Sequence, residues 1–444
     1  MKRFRTMPEP HWDLAFAALL AYLFVEYSSL PTMYPILQPL RLGKALLVPC
    51  ALGAMASPQI RNQRPNSHGI DFTLFVFLLA CFSSALFAYQ GDAAWGGVAD
   101  VFRWLVIYFL ISRILTNPWR LRFALFLLLA LHLKMAQFAI RDYFAQRAFG
   151  RSDAFLSAHG VGAGSASFFG NAGDFGVAMC VIWALAASLF FGETKKGPRI
   201  FFGVCFALFF MAIIVCGSRG AVLGAAAAAV MTLAKNPKRI GGMVMILVLL
   251  ITTAYFLPEA SKQRMLSGMH WETDETATIR IGLWKAGLRM FQDNPVFGVG
   301  LGNFPQTFAT RYYDPSTKRS YASAEWVPHS IYIQALSELG VTGSLPLLAI
   351  LFLFFRLNGL TRKRLQTIGF GNRRNFEYRL SLGLDLALVA YLVSGAFLTV
   401  LYYPHLWILL GFSVALHTAC LNKRPETSVA QPSDEERALV LAAS

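Results

Sequence analysis

The chain has 444 residues, of which 56% are hydrophobic and 14% charged, and its mean hydropathy is +0.49. So little polar surface cannot cover a water-soluble globule of this size, which excludes a soluble enzyme or binding module. The formal charge of +16 raises the question of nucleic acid, but the Lys and Arg residues sit in short connectors between apolar runs; that pattern orients membrane proteins, and no nucleic-acid partner is expected.

A helix needs about 20 residues to cross roughly 30 Å of hydrocarbon. The start, MKRFRTMPEPHWDLAFAALL, has a basic region and then an apolar run. More apolar runs follow and there is no small-x-small cleavage site, so it reads as an uncleaved first helix. Cutting the sequence at its polar interruptions predicts about twelve transmembrane helices. They lie near 13–29, 37–57, 70–89, 97–112, 123–140, 172–191, 200–216, 220–234, 240–257, 337–355, 380–400 and 405–421. The expected fold class is an all-α polytopic membrane protein.

With the N-terminus inside, parity assigns a side to every connector. Those expected in the cytoplasm are all basic: QIRNQR (Arg61, Arg64), SRILTNPWRLR (Arg113, Arg120, Arg122), ETKKGPR (Lys195, Lys196, Arg199), KNPKR (Lys235, Lys238, Arg239) and RLNGLTRKRLQTIGFGNRRNFEYR. The connectors after the first and third spans carry almost no Lys or Arg, as the positive-inside rule requires. Residues 1–257 then hold helices one to nine, 258–328 form a large outer loop with amphipathic helices between the ninth and tenth, and 329–421 hold helices ten to twelve. Residues 422–444, with Lys423 and Arg424, form a disordered cytoplasmic tail. Residues 141–171 also face outward. The six cysteines lie in or at the edge of apolar segments, so neither a disulfide framework nor a zinc spacing is visible. No internal repeat is apparent, which argues against a transporter built from duplicated halves.

Three blocks carry residues with chemical potential. In IIVCGSRGAVLGAAAAAV (213–230), Gly217, Ser218 and Gly220 break the apolar pattern and place Arg219 in a tight outward turn. An interfacial arginine that snorkels to lipid phosphate and a fixed cation for a phosphorylated lipid are equally compatible with it. Gly220 and Gly224 form a GxxxG spacing that suits close helix packing. In TATIRIGLWKAGLRMFQDNPVFGVGLGNF (276–304), Ile279, Leu283, Gly287 and Phe291 recur at helical spacing beside Arg280, Lys285 and Arg289. An amphipathic helix on the outer leaflet, ended by Asp293-Asn294-Pro295, is the structural reading. GVGLGN (298–303) follows no βαβ pattern and is rejected as a nucleotide loop. In WVPHSIYIQALSELGVTG (326–343), Pro328 and Ser330 suit a helix start, and Gly340, Gly343 and Pro346 suggest a bend. His329 stands where the loop meets the span, either as an interfacial anchor or as the side chain best suited to take a proton near neutral pH.

Arg219 in SRG, the IRIGLWKAGLRMFQDNPVFGVGLGNF block and HSIYIQALSELGVTG together resemble the O-antigen ligases and polymerases, over roughly 160–355. The resemblance implies a GT-C type membrane fold and a bacterial inner-membrane glycosyltransferase that faces the periplasm. Its donor would be an undecaprenyl-diphosphate-linked glycan and its acceptor a hydroxyl on lipid A core or another molecule. By resemblance, Arg219 and Arg280 bind the diphosphate and His329 is the catalytic base of an inverting, metal-independent transfer, with no cofactor. Arg103 is a secondary diphosphate contact. Asp100, His132 and Lys134 are further intramembrane polar groups that either line a lipid channel or pair helices. The chain departs from the family pattern at Ser330, where Asn is usual, at Tyr332-Ile333, and in a loosened FFGNAGDFG (Asn171, Asp174). An O-antigen ligase is the leading expectation; an O-antigen or exopolysaccharide polymerase, a protein O-oligosaccharyltransferase and, from another class, a lipid-linked-glycan flippase or transporter are the alternatives.

Overall fold

Helices supply all the regular structure among the described residues. The computed structural model describes residues 12–28, 30, 34–62, 65–149, 169, 171–235, 243–244, 246–248, 251, 255, 275–313, 326–372 and 374–422. The long helices are α1 (Leu14–Ser28), α2 (Leu42–Ala56), α3 (Ile70–Leu86), α4 (Gly91–Ile114), α5 (Pro118–Ala148) and α6 (Ala172–Gly192). They continue as α7 (Lys196–Val215), α8 (Arg219–Lys235), α9 (Glu275–Asp293), α10 (Ile331–Thr367), α11 (Phe376–Gly395) and α12 (Pro404–Leu421). Among the described residues, seven helical stretches are long and apolar enough to cross a membrane, and α1 and α3 are shorter apolar helices. The chain is a polytopic membrane protein. A helix stands at each expected span except 240–257, most of which lies outside the described residues, as does the tail beyond residue 422.

Two helices overrun the hydropathy pattern by the most. α5 runs on to Ala148 through a polar turn in which Gln146 Nε2 donates to Asp142 Oδ1 at 2.9 Å. α10 reaches Thr367 because Leu357, Thr361 and Leu365 keep one face buried at helical spacing beyond the apolar run. Hydropathy sees composition, whereas the helix persists as long as one stripe has something to pack against.

α6 and α12 are apolar on all sides and lie at the centre, each almost wholly buried. α11 packs between α6 and α8, where a Cβ on Gly224 would collide with Ser394 and Ala390 of α11. The GxxxG spacing therefore serves close helix contact. One end of the bundle is tied by ion pairs: Arg120 with Asp13 at 2.8 Å, Arg122 with Glu377 at 2.8 Å, and Lys235 and Arg362 with Asp385 at 3.0 and 2.8 Å. The basic residues come from the connectors expected in the cytoplasm, so positive charge collects at this end.

The bend in α10 has a definite construction. At Gly340 the backbone leaves helical geometry (φ 61°, ψ −159°), and the segment after α9 enters the gap. Val341 N donates to Pro295 O at 2.8 Å and Thr342 N to Val296 O at 3.2 Å. The carbonyls those amides would meet in an unbroken helix are taken by the same segment: Val299 N donates to Ser337 O at 2.8 Å and Gly300 N to Glu338 O at 3.2 Å. These two amides and two carbonyls are therefore all paired across the break, as buried backbone requires. GVGLGN is thus a staple between α9 and α10. Gly298 and Gly340 both have positive φ, and a Cβ on either would run into the other strand's backbone, Glu338 and Val296 respectively.

Gly340→Ala is accordingly expected to destabilise the fold by at least about 2 kcal/mol, combining left-handed strain with a backbone clash that cannot relax by rotamer change. A lowered thermal midpoint in detergent checks this. A midpoint within a degree of wild type would show that the staple is not tight.

Candidate active site

A cavity of about 430 Å³ opens where α6, α8, α10 and α12 begin. Its wall includes Asn171 and Asp174 from the start of α6, Ser218 and Arg219 from the start of α8, His329 just ahead of α10, and Tyr403 just ahead of α12. Arg280, from the first turns of α9, and Phe397–Thr399 of the α11–α12 connector complete it. The first turns of α6 and α8 line it directly, and each such helix start is equivalent to roughly +0.5 charge. With two guanidinium groups added, the cavity is built for an anion.

Local sequence explains each placement. Gly217, with φ 65°, turns the chain after α7 so that Arg219 starts α8 at the rim. Asn171 caps α6: its Oδ1 accepts from Asp174 N at 3.0 Å and its Nδ2 donates to Asp174 Oδ2 at 3.0 Å. Arg280 is delivered by α9, whose buried face of Leu283, Ala286 and Met290 packs with Val299, Phe304 and Phe308. α9 therefore spends its apolar stripe on α10 and the staple, where a Cβ on Gly287 would strike Ile333.

His329 is held in a left-handed backbone conformation (φ 46°), uncommon for a residue with a side chain. Two contacts keep it there. Its own N–H donates to Thr399 Oγ1 at 2.9 Å, and Trp284 Nε1 donates to the preceding Pro328 carbonyl at 3.0 Å. Strain of this kind persists only when neighbours over-determine it, and here they come from α9 and from the α11–α12 connector. Burial, and next the nearby Arg280 charge, push the imidazole down to about 4. His329 is therefore neutral at pH 7 and able to accept a proton.

The cavity also holds an acid. Tyr403 Oη donates to Asp174 Oδ2 at 2.6 Å, a short charge-assisted bond. Burial and then the Asp174 carboxylate hold the phenol well above its usual range, so Tyr403 keeps its proton.

The cavity brings together Arg219, Arg280 and His329 of the residues expected from sequence, and with them Asn171 and Asp174. Arg103 lies apart from these residues. It does not line the cavity; its guanidinium lies 3.4 Å from Asp100 and 4.5 Å from the centre of the Trp104 ring, as the i, i+3 spacing on α4 allows. His132 is buried against the Leu128 carbonyl and His405, and Lys134 donates to Ser28 O, so both join helices within the bundle. Sequence reading missed Trp284, Thr399 and Tyr403. Thr399 and Tyr403 lie in the uncharged turn FLTVLYYP, where a Thr and two Tyr were the only signal, and Trp284 lies in the block quoted for its cations, where nothing marks the indole itself.

Residues 204–348 match the family model described as O-antigen ligase. That match supports membership of the O-antigen ligase and polymerase family. No curated protein matches the chain. The matched segment contains Arg219, Arg280 and His329, whereas the family-matched region ends short of the Asp174 and Tyr403 wall on both sides. The family implies a lipid-linked glycan and an acceptor as substrates in a membrane, and a ligase or polymerase type of activity.

Proposed function

We propose that the cavity transfers a glycan from undecaprenyl diphosphate to an acceptor hydroxyl at the periplasmic face of the inner membrane, acting as an O-antigen ligase on lipid A core. The observation that carries this reading is the shared cavity of Arg219, Arg280 and His329 at the start of four helices. The two guanidinium groups offer planar forks to the diphosphate oxygens and stay charged at any physiological pH. In the transfer, the acceptor oxygen forms a bond to the anomeric carbon as the bond from that carbon to the phosphate oxygen breaks. The electron pair leaves with the diphosphate, where fixed charge stabilises it, and the hydroxyl proton passes to His329. Attack from the face opposite the leaving group inverts the anomeric configuration. The end of the bundle rich in Arg and Lys lies away from these helix starts, and the positive-inside rule then puts the cavity outside.

The test is reconstitution. The full chain in vesicles, given extracted undecaprenyl-diphosphate glycan and lipid A core, is expected to yield glycan on the core with inverted linkage. Lengthened glycan on the carrier identifies a polymerase, modified protein a protein O-glycosylation enzyme, and glycan moved across the bilayer without a new bond a flippase; each would displace the ligase reading.

The histidine sets a pH signature. A base that must be neutral makes the rate fall as acid protonates it, so kcat/KM for the donor should lose activity around pH 4, the value of the free site. A bound diphosphate offsets the Arg280 charge, which raises the imidazole pKa, and the acid limb of kcat should lie at higher pH than that of kcat/KM. Coincident limbs would remove His329 from proton transfer.

A further inference from the structure

A carboxylate is out of place in an anion site. Asp174 is 4% exposed and lines the same cavity as Arg219 and Arg280, and like charge disfavours any diphosphate brought near it. Capping α6 does not by itself require an acid there, because the capping oxygen is that of Asn171. Another partner, Tyr403, reaches across from the start of α12 and leaves a partly exposed aromatic ring beside the carboxylate. A carboxylate accepts strongly from hydroxyls, and an aromatic face packs on the apolar face of a sugar ring.

We propose that Asp174 and Tyr403 form a sugar-reading wall of the cavity, contacting the sugar next to the diphosphate and opposing the diphosphate itself. This rests on the donor reading given above and adds the part of the donor these residues recognise. The cavity is then divided by chemistry: guanidinium groups and helix starts take the phosphates, and the Asp174–Tyr403 pair takes the hydroxyls of the attached ring. Because the connector that carries Tyr403 also supplies Thr399 to the His329 amide, the sugar wall and the base are set by one short segment.

The division gives opposite signs for one substitution. Binding of inorganic pyrophosphate and of the extracted undecaprenyl-diphosphate glycan is measured on the full chain in nanodiscs. Asp174→Asn, isosteric and still able to bond Tyr403, removes a repulsive charge and weakens the acceptor. It is expected to tighten pyrophosphate about threefold or more and to weaken the glycan donor roughly 10-fold or more. Tyr403→Phe leaves the α6 cap intact and should weaken the donor about threefold with pyrophosphate unchanged; it decides the matter if the Asp174 variant does not accumulate. Equal loss of both ligands would make the pair a structural cap only and overturn the proposal. Absence of pyrophosphate binding in the wild type, with the donor still bound, would instead overturn the diphosphate reading of the arginines.

Discussion

His329→Asn should cut the transfer rate by roughly 10²–10⁴-fold, the range that loss of a general base produces, with little change in abundance or thermal midpoint. Asn is the informative replacement. His329 sits at φ 46°, a region Asn visits more readily than Ala, so the variant removes the imidazole without adding backbone strain. His329→Ala should show the same catalytic loss and a slightly lower midpoint. The measurement is initial rate in reconstituted vesicles beside an immunoblot of membrane content. Activity above a tenth of wild type in the Asn variant would mean that another group takes the proton.

Arg219→Lys should lower kcat/KM by about 100-fold, even though the charge is kept. An ammonium is a compact, strongly hydrated point charge, whereas the guanidinium matches two phosphate oxygens at once. Losing one oriented donor at a site of developing charge costs about 10²–10³-fold in rate. Arg280→Lys should behave similarly and leave the acid limb where it is, because the charge that depresses His329 remains. Arg280→Gln differs: removing that charge relieves the second cause of the depression and moves the acid limb of kcat/KM upward, while burial keeps it below the ordinary histidine value. Full activity in Arg219→Lys would reduce that residue to a lipid-facing anchor.

Much of this was legible in the sequence, and the reason is periodicity. Helix positions follow from apolar runs, and the basic connectors mark one end of the bundle. Arg219 and His329 stood out as single polar groups at breaks in apolar pattern, and it was the family resemblance that picked Arg280 from the three cations of its helix. Arg103 was expected only as a secondary contact; its i−3 neighbour Asp100 lies 3.4 Å away, and local pairing of that kind competes with any distant role. The bend at Gly340 was legible, but the staple that fills it was not. GVGLGN and SELG each stood out alone, but nothing paired them, and only their interleaved hydrogen bonds give the glycines a shared purpose. Tyr403 and Thr399 were equally silent, since a connector of eight residues has no period to betray which side chain turns inward.

The two helix starts that line the cavity have a consequence for how this protein tolerates change. Part of the attraction for phosphate is carried by peptide groups, which no codon alters and no proton neutralises. A variant lacking both arginines should still retain a weak hold on pyrophosphate, as should a distant descendant whose side chains have drifted. Ancestry can fade from the residues while the field persists in the topology.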